Sequence, residues 1–172
     1  MQKQMNSLWF RLMSLEYRFK TNDVAPTLVD AGIQAGMSVL DFGCGPGRYT
    51  LPVAGLVGGE GTVYAADVHP LAMGMVQGKA KRSRLSNVQT IRTDCVTGLP
   101  SGSIDVALLF DALHDMENKM AVLEELHRVL KVDGRLQYKD HSLFGDQLIS
   151  LMKSSGFCIA DERAKQVGFR KC

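Results

Sequence analysis

Three glycines within five residues constrain this chain more than any other feature. Gly43, Gly45 and Gly47 directly follow the run Val39-Leu-Asp-Phe42 and stand in the order G-x-G-x-G. A buried strand therefore runs into a turn where the backbone can take φ > 0 and approach a ligand with no Cβ in the way. Helix-forming sequence resumes at about Arg48. Strand, glycine turn and helix in that order make the ligand-binding end of an open α/β sheet. The spacing departs from the dinucleotide pattern G-x-G-x-x-G, because Arg48 stands where its third glycine would fall.

The rest of the chain alternates apolar runs with helical-period segments. Met5, Leu8, Trp9, Leu12 and Met13 have the spacing of an amphipathic helix, and a second helix is expected from near Asp23, with Pro26 in its first turn, to near Gly36. Strands are expected at Ser38–Phe42, Thr62–Ala66 (ending at Asp67), Val88–Thr93, Ile104–Phe110 and Arg135–Lys139. Helices are expected from about Arg48 to Leu56, through Leu71 to Ala80, from Met116 to Leu130 with Asp133-Gly134 as its stop, and through Leu148 to Met152. The tail from Phe157 to Lys171 reads as two short strands turned around Glu162 to Lys165. So short a connection joins only antiparallel strands. The fold class is α/β: a doubly wound, mainly parallel sheet with helices on both faces and a short C-terminal antiparallel hairpin. At 172 residues the chain is expected to be one domain, with N-terminal helices in residues 1–36 and the core in 37–172.

Composition narrows the function classes. A net charge of +2 gives no electrostatic basis for nucleic-acid or membrane binding. No apolar run near the start has the length of a membrane span or the form of a signal peptide, and a cytoplasmic protein is expected. Cys44, Cys95, Cys158 and Cys172 lack C-x-x-C spacing and read as reduced thiols.

With Asp41 two residues ahead of the first glycine, Asp41-Phe-Gly-Cys-Gly-Pro-Gly47 resembles motif I, D-x-G-x-G-x-G, of class I S-adenosylmethionine-dependent methyltransferases. The resemblance runs from about Gly36 to the C-terminus and implies a seven-stranded Rossmann-like sheet whose last strand is antiparallel. It implies S-adenosylmethionine as cofactor, held at Asp41, Gly43, Cys44, Gly45 and Gly47. An acid ending the second strand, Asp67, can accept both ribose hydroxyls as charge-assisted hydrogen bonds. The competing reading is a surface aspartate capping the helix that starts at His69-Pro70. The resemblance sets Val68 against the adenine and Asp94, beside Cys95, at the adenine amine. For Cys44 and Cys95, related arsenite-binding methyltransferases suggest thiol chemistry, but small side chains suit a crowded turn without it.

Ile104-Asp-Val-Ala-Leu-Leu-Phe-Asp-Ala-Leu-His114 resembles the fourth-strand motif of small-molecule methyltransferases, which sets Phe110 and Asp111 beside the cofactor's reacting end. His114 is then either a general base or a residue that shapes the pocket. Tyr138, Asp140 and His141 end the fifth strand as polar groups of a wet cleft. Asp111, Asp140 and His141 together suggest a divalent-ion site of the catechol O-methyltransferase kind. His141 replaces the amide of those enzymes, so no metal is expected. Trp9, Phe10, Tyr17 and Phe19 read either as part of a lid over the cofactor or as packing outside the sheet.

The implied function is methyl transfer by in-line displacement to a small-molecule acceptor, with quinone-type and other small-metabolite methyltransferases as the nearest resemblance. Orientation can supply much of the catalysis. The N/D-P-P-Y/F motif of N-methylating nucleic-acid enzymes is absent, with Asp111-Ala-Leu-His114 in its place. Two alternatives stay open at this point. One is an NAD(P)-dependent Rossmann oxidoreductase, disfavoured by Arg48 and by the lack of a Tyr-x-x-x-Lys pair. The other is a non-catalytic binding subunit.

Overall fold

The computed structural model describes residues 24–143, 145–163 and 166–172. The expected first helix and the aromatic segment Trp9 to Phe19 lie outside the described residues. From Val24 onward the elements are α1 (Ala25–Asp30), β1 (Ser38–Phe42), α2 (Thr50–Val57), β2 (Thr62–Asp67), α3 (Pro70–Arg82), β3 (Val88–Arg92) and β4 (Ile104–Phe110). A 3₁₀ turn at Leu113–Asp115 leads to α4 (Lys119–Val129), β5 (Leu130–Lys139), α5 (Gly145–Ser154), β6 (Phe157–Arg163) and β7 (Gln166–Lys171).

The strands form one seven-stranded sheet in the order β3-β2-β1-β4-β5-β7-β6. All pairings from β3 through β5 are parallel, and β7 is antiparallel to both β5 and β6. The strand order reverses between β1 and β4, both of which start from the same edge. In open α/β sheets the carboxyl ends of the strands at such a switch point are where ligands bind.

The strands at the switch point are apolar on both faces because both faces are covered. Val106, Leu108 and Phe110 of β4 pack with Leu28 of α1 and Val53, Ala54 and Val57 of α2. Ala107 and Leu109, facing the other way, pack with Leu123, Leu126 and Val129 of α4 and with Leu148 and Met152 of α5. The central strands are thereby clamped, and the residues that leave their ends are held on a rigid edge.

Three boundaries differ most from the sequence expectation. α1 stops at Asp30, not near Gly36, because Gly32 takes the left-handed region (φ 71) and turns the chain early. α4 begins at Lys119 instead of Met116, which packs in the core ahead of the helix. β5 begins at Leu130, ahead of Asp133-Gly134. Leu130 pairs with Ile104 and Arg135 with Val106, so residues 131–134 bulge between the two pairs. A Cβ on Gly134 would lie 2.9 Å from the Ile104 carbonyl oxygen, so glycine permits the bulge.

The cysteine reading needs correction. Cys158 on β6 and Cys172, just past β7, form a disulfide with a Cα–Cα distance of 5.2 Å. The antiparallel hairpin brings the two together: Phe157 pairs with Lys171, and the Cys172 N–H donates to the Gly156 carbonyl. Cys44 and Cys95 are free thiols. Titration of the unfolded, unreduced protein with a thiol reagent should therefore find two reactive cysteines, and four after reduction. Cys172→Ser should lower stability by up to about 3 kcal/mol, the loop-closure effect for a link of this length. Four thiols before reduction would mean the link does not form.

Candidate functional site

The glycine turn is built as a shelf across the ends of β1 and β2. The N–H groups of Gly43 and Cys44 both donate to the Ala66 carbonyl, at 2.8 and 3.0 Å. Gly43, Gly45 and Gly47 all have positive φ (80, 52 and 82°). Their surroundings differ. A Cβ on Gly43 would meet Ala112 at 2.5 Å, and one on Gly47 would meet Leu51 at 2.7 Å. Around Gly45 there is nothing within 4 Å. Two of the glycines thus allow close packing within the protein, while Gly45 faces open space.

Asp67, ending β2, closes the side of this space. One carboxylate oxygen accepts from the Gly45 N–H at 2.8 Å and the other from the His69 N–H at 2.7 Å. Burial nevertheless pushes its pKa up, against the lowering effect of those two backbone donors. The capping reading does not hold for Asp67: the N-cap of α3 is His69, whose Nδ1 accepts from the Leu71 N–H. Lys79 of α3 reaches back to the Pro46 carbonyl and ties the turn to that helix.

Asp41 lies beneath the shelf and is 2% exposed. Its carboxylate accepts from the Thr50 hydroxyl at 2.6 Å, at the start of α2. Burial lifts its pKa to about 6, with the Asp67 charge adding to the rise and hydrogen bonds from Thr50 opposing it. Thr50 had no role in the sequence reading. The only trace of it there is a hydroxyl residue at the first turn of the helix that follows the glycines.

The other expected residues divide into those at or near the surface and those whose side chains turn into the core. Val68 is partly buried and Asp94 is exposed. The loop that carries Asp94 is pinned by buried Glu125 of α4, which accepts from the Thr97 N–H and hydroxyl at 2.8 and 2.5 Å and pairs with Arg128. Three side chains turn inward. Cys44 packs with Ala65 and Val76. Cys95 leans on the cluster beneath α4. Phe110 is 4% exposed, with its ring edge-on to Tyr49 at 4.9 Å. The Cys44 thiol is pushed well up by burial and by the Asp41 and Asp67 charges, which is the opposite of a reactive thiol.

A second group gathers where β4 and β5 end. The Asp111 N–H donates to the Lys139 carbonyl at 2.6 Å, and Asp111 takes a left-handed φ of 50°. Asp140 accepts from His114 Nδ1 at 3.0 Å, and His141 Nδ1 lies 3.5 Å from Asp111. The two imidazole rings meet edge to face with centroids 4.5 Å apart. His114, Asp140 and His141 present potential ligand atoms within 4.8 Å of one another. Tyr138 is buried below, its hydroxyl donating to the Leu143 carbonyl, and burial with the nearby Asp140 and Asp111 charges pushes its pKa far up. Beside this group, a cavity of about 230 Å³ opens between α5 and the ends of β5 and β7, lined by Tyr138, Asp140, Leu148, Ile149, Val167 and Phe169 among others.

The raised pKa of Asp41 has a consequence for stability. A carboxyl whose folded pKa lies above its unfolded value stabilises the fold fully below about pH 4, and that contribution is lost as the pH rises through about 6. Between pH 4 and pH 7 the wild type should lose about 1–3 kcal/mol relative to Asp41→Asn. Denaturant titrations of both proteins across this range check it, and parallel profiles would refute it.

Comparison with known proteins agrees with this architecture. The family described as a methyltransferase domain matches residues 33–167. A demethylmenaquinone methyltransferase of Lactococcus lactis is 31% identical over 122 residues, which is 69% of this chain and 48% of that protein. One from Geobacillus stearothermophilus is 32% identical over 117 residues, 66% of this chain and 50% of that protein. The chain spans about half the length of these curated relatives. Among solved structures, a SAM-dependent methyltransferase from Aquifex aeolicus shares the fold with a TM-score of 0.83, 22% identity and coverage of 95% and 97% of the two chains. With its match extending from ahead of β1 into β7, the chain belongs to the methyltransferase domain family.

Proposed function

We propose that the protein is an S-adenosylmethionine-dependent methyltransferase acting on a small, ring-shaped acceptor of the quinol type. The observation that carries this reading is the cradle at Gly45, open to the outside and flanked by an oriented carboxylate. Each Asp67 oxygen is fixed by one backbone donor and keeps a lone pair for a ribose hydroxyl. Val68 lies along the adenine and Asp94 accepts from its amine. Gly43, Gly45, Gly47 and the Cys44 backbone hold the cofactor's chain, and the Phe110-Asp111 bend borders its reacting end. Asp41, held with a raised pKa below the cradle, is stabilised as an anion by the cofactor's cationic amino-acid end. The cofactor supplies a methyl group already attached to a good leaving group. The protein's part is then to hold the acceptor in line and keep water out.

For the acceptor, the relatives' names and the cavity at the ends of β5 and β7 point the same way. Leu148, Ile149, Val167 and Phe169 give apolar lining for a flat ring, beside Tyr138, Asp140 and the charged Lys139, Glu162 and Arg163. Neither alternative function has a structural observation in its favour: Arg48 still stands where a dinucleotide site needs its third glycine.

Calorimetry should show saturable binding of S-adenosylmethionine and S-adenosylhomocysteine and none of NADH or NADPH. Binding of NADH without S-adenosylhomocysteine would overturn the proposal. Asp67→Ala should weaken S-adenosylhomocysteine binding about ten- to a hundredfold, the worth of charged hydrogen bonds to the ribose. Unchanged binding in a folded variant would remove Asp67 from the cofactor site.

A further inference from the structure

The carboxylate of Asp140 is fully enclosed, with none of its side chain exposed. Four donors converge on it. Oδ1 accepts from the Ser142 N–H at 3.0 Å and the Ser142 hydroxyl at 3.1 Å. Oδ2 accepts from His114 Nδ1 at 3.0 Å and, more weakly, from the His114 N–H at 3.4 Å. A carboxylate has about four acceptor positions, and all are used. Burial raises its pKa, but the Ser142 and His114 hydrogen bonds outweigh burial and hold it below the ordinary range. The group is therefore an anion, and an anion bonded to Nδ1 requires the proton of a neutral imidazole to sit on Nδ1. The lone pair is then on Nε2. The His114 side chain is 21% exposed, and among the described residues the solvent-exposed Asp115 stands beside Nε2, at 3.3 Å.

From this geometry we infer that Asp140 and Ser142 form a positioning pair that holds His114 as a general base toward the acceptor. The inference rests on the methyltransferase reading above and adds to it that the acceptor carries a hydroxyl proton. An acceptor that gains a methyl must give up a proton. The acceptor O–H bond breaks, its electron pair stays on the acceptor, and the proton passes to His114 Nε2. The imidazolium formed is stabilised by the Asp140 charge and later releases the proton to solvent through its exposed edge. Because Asp140 is already saturated with donors, a metal ion could use it only by displacing His114 or Ser142. The groups facing His114 are Asp140, Asp115 and the ring of His141, which in turn lies beside Asp111, with Lys119 donating to the His114 carbonyl and Tyr138 beneath Asp140.

Nitrogen-15 NMR of the imidazoles in the full chain tests the geometry without an acceptor. Neutral His114 should be the Nδ1–H form in the wild type and revert toward the Nε2–H form in Asp140→Ala. If that variant fails to fold, Ser142→Ala should show a partial reversion. Turnover is followed with labelled S-adenosylmethionine and 1,4-dihydroxynaphthalene. Asp140→Ala should lower kcat about 10²- to 10³-fold, with S-adenosylhomocysteine affinity unchanged. Added imidazole should restore activity to His114→Gly. An Nε2–H form in the wild type, or full activity in Asp140→Ala, would overturn the inference. So would Zn²⁺ shifting the His114 and His141 signals together at one equivalent, or reversible inhibition by EDTA, either of which would indicate a metal centre. No methylation of dihydroxynaphthalene by protein that binds S-adenosylhomocysteine would overturn the acceptor class. Failure to bind S-adenosylhomocysteine would instead remove the methyltransferase reading and leave the tautomer result standing.

Discussion

The hydrogen bond from the Gly45 N–H to Asp67 joins the ends of two neighbouring parallel strands, and the rest of the site is arranged around it. Parallel strands share no turn at their carboxyl ends, so something other than the sheet ladder must set how the chain leaves each one. Here the Ala66 carbonyl takes two N–H groups from the start of the glycine turn, and Asp67 takes a third from its middle. The turn can meet these demands only with φ positive at three alternate residues, which is the reason for three glycines. Once the turn is set, α2 starts at Thr50 and its hydroxyl falls on Asp41. The open glycine turn and the buried acid are thus consequences of one backbone arrangement.

Much of this was legible in the amino-acid order. β1 and β4 could be read because strands covered on both faces are continuous apolar runs, and the glycine turn because few other residues take its conformation. The place of Asp67 at the end of β2 was legible in the same way. Less legible were the features that depend on register. Cys158 and Cys172 meet only because the hairpin pairs Phe157 with Lys171, and a one-residue slip would have turned Cys158 to the other face. The β5 bulge was hidden because Asp133-Gly134 has the same composition as an ordinary helix stop. Ser142 was missed altogether. Its two donors act on a side chain whose other partner, His114, lies on a different strand's exit.

The core also absorbed side chains of motif residues. Phe110 and Cys44 occupy motif positions, yet their side chains pack inward against Tyr49 and against Ala65 and Val76. A motif identifies where the backbone approaches a ligand. The direction of each side chain follows from strand alternation, and on β4 that alternation sends Phe110 to the same face as Val106 and Leu108.

Asp41 and Asp140 are two enclosed carboxyls whose pKa values shift in opposite directions. Both are almost fully enclosed, at 2% and 4% exposure. Asp41 receives hydrogen bonds from Thr50 alone and faces the like charge of Asp67, so its pKa is pushed up to about 6. Asp140 receives four donors, two of them from a histidine, and is held below the usual carboxylate range. Desolvation acts on both in the same direction; hydrogen bonds only partly offset it at Asp41 and outweigh it at Asp140. An acid with few donors is ready to be stabilised by a cationic ligand, whereas a saturated acid has no remaining position for one and can act only through the groups already bound to it. The first suits a binding site, and the second suits a fixed support for the imidazole beside it. Separation of two carboxylates by environment is how one fold keeps different proton-handling groups at a single pH.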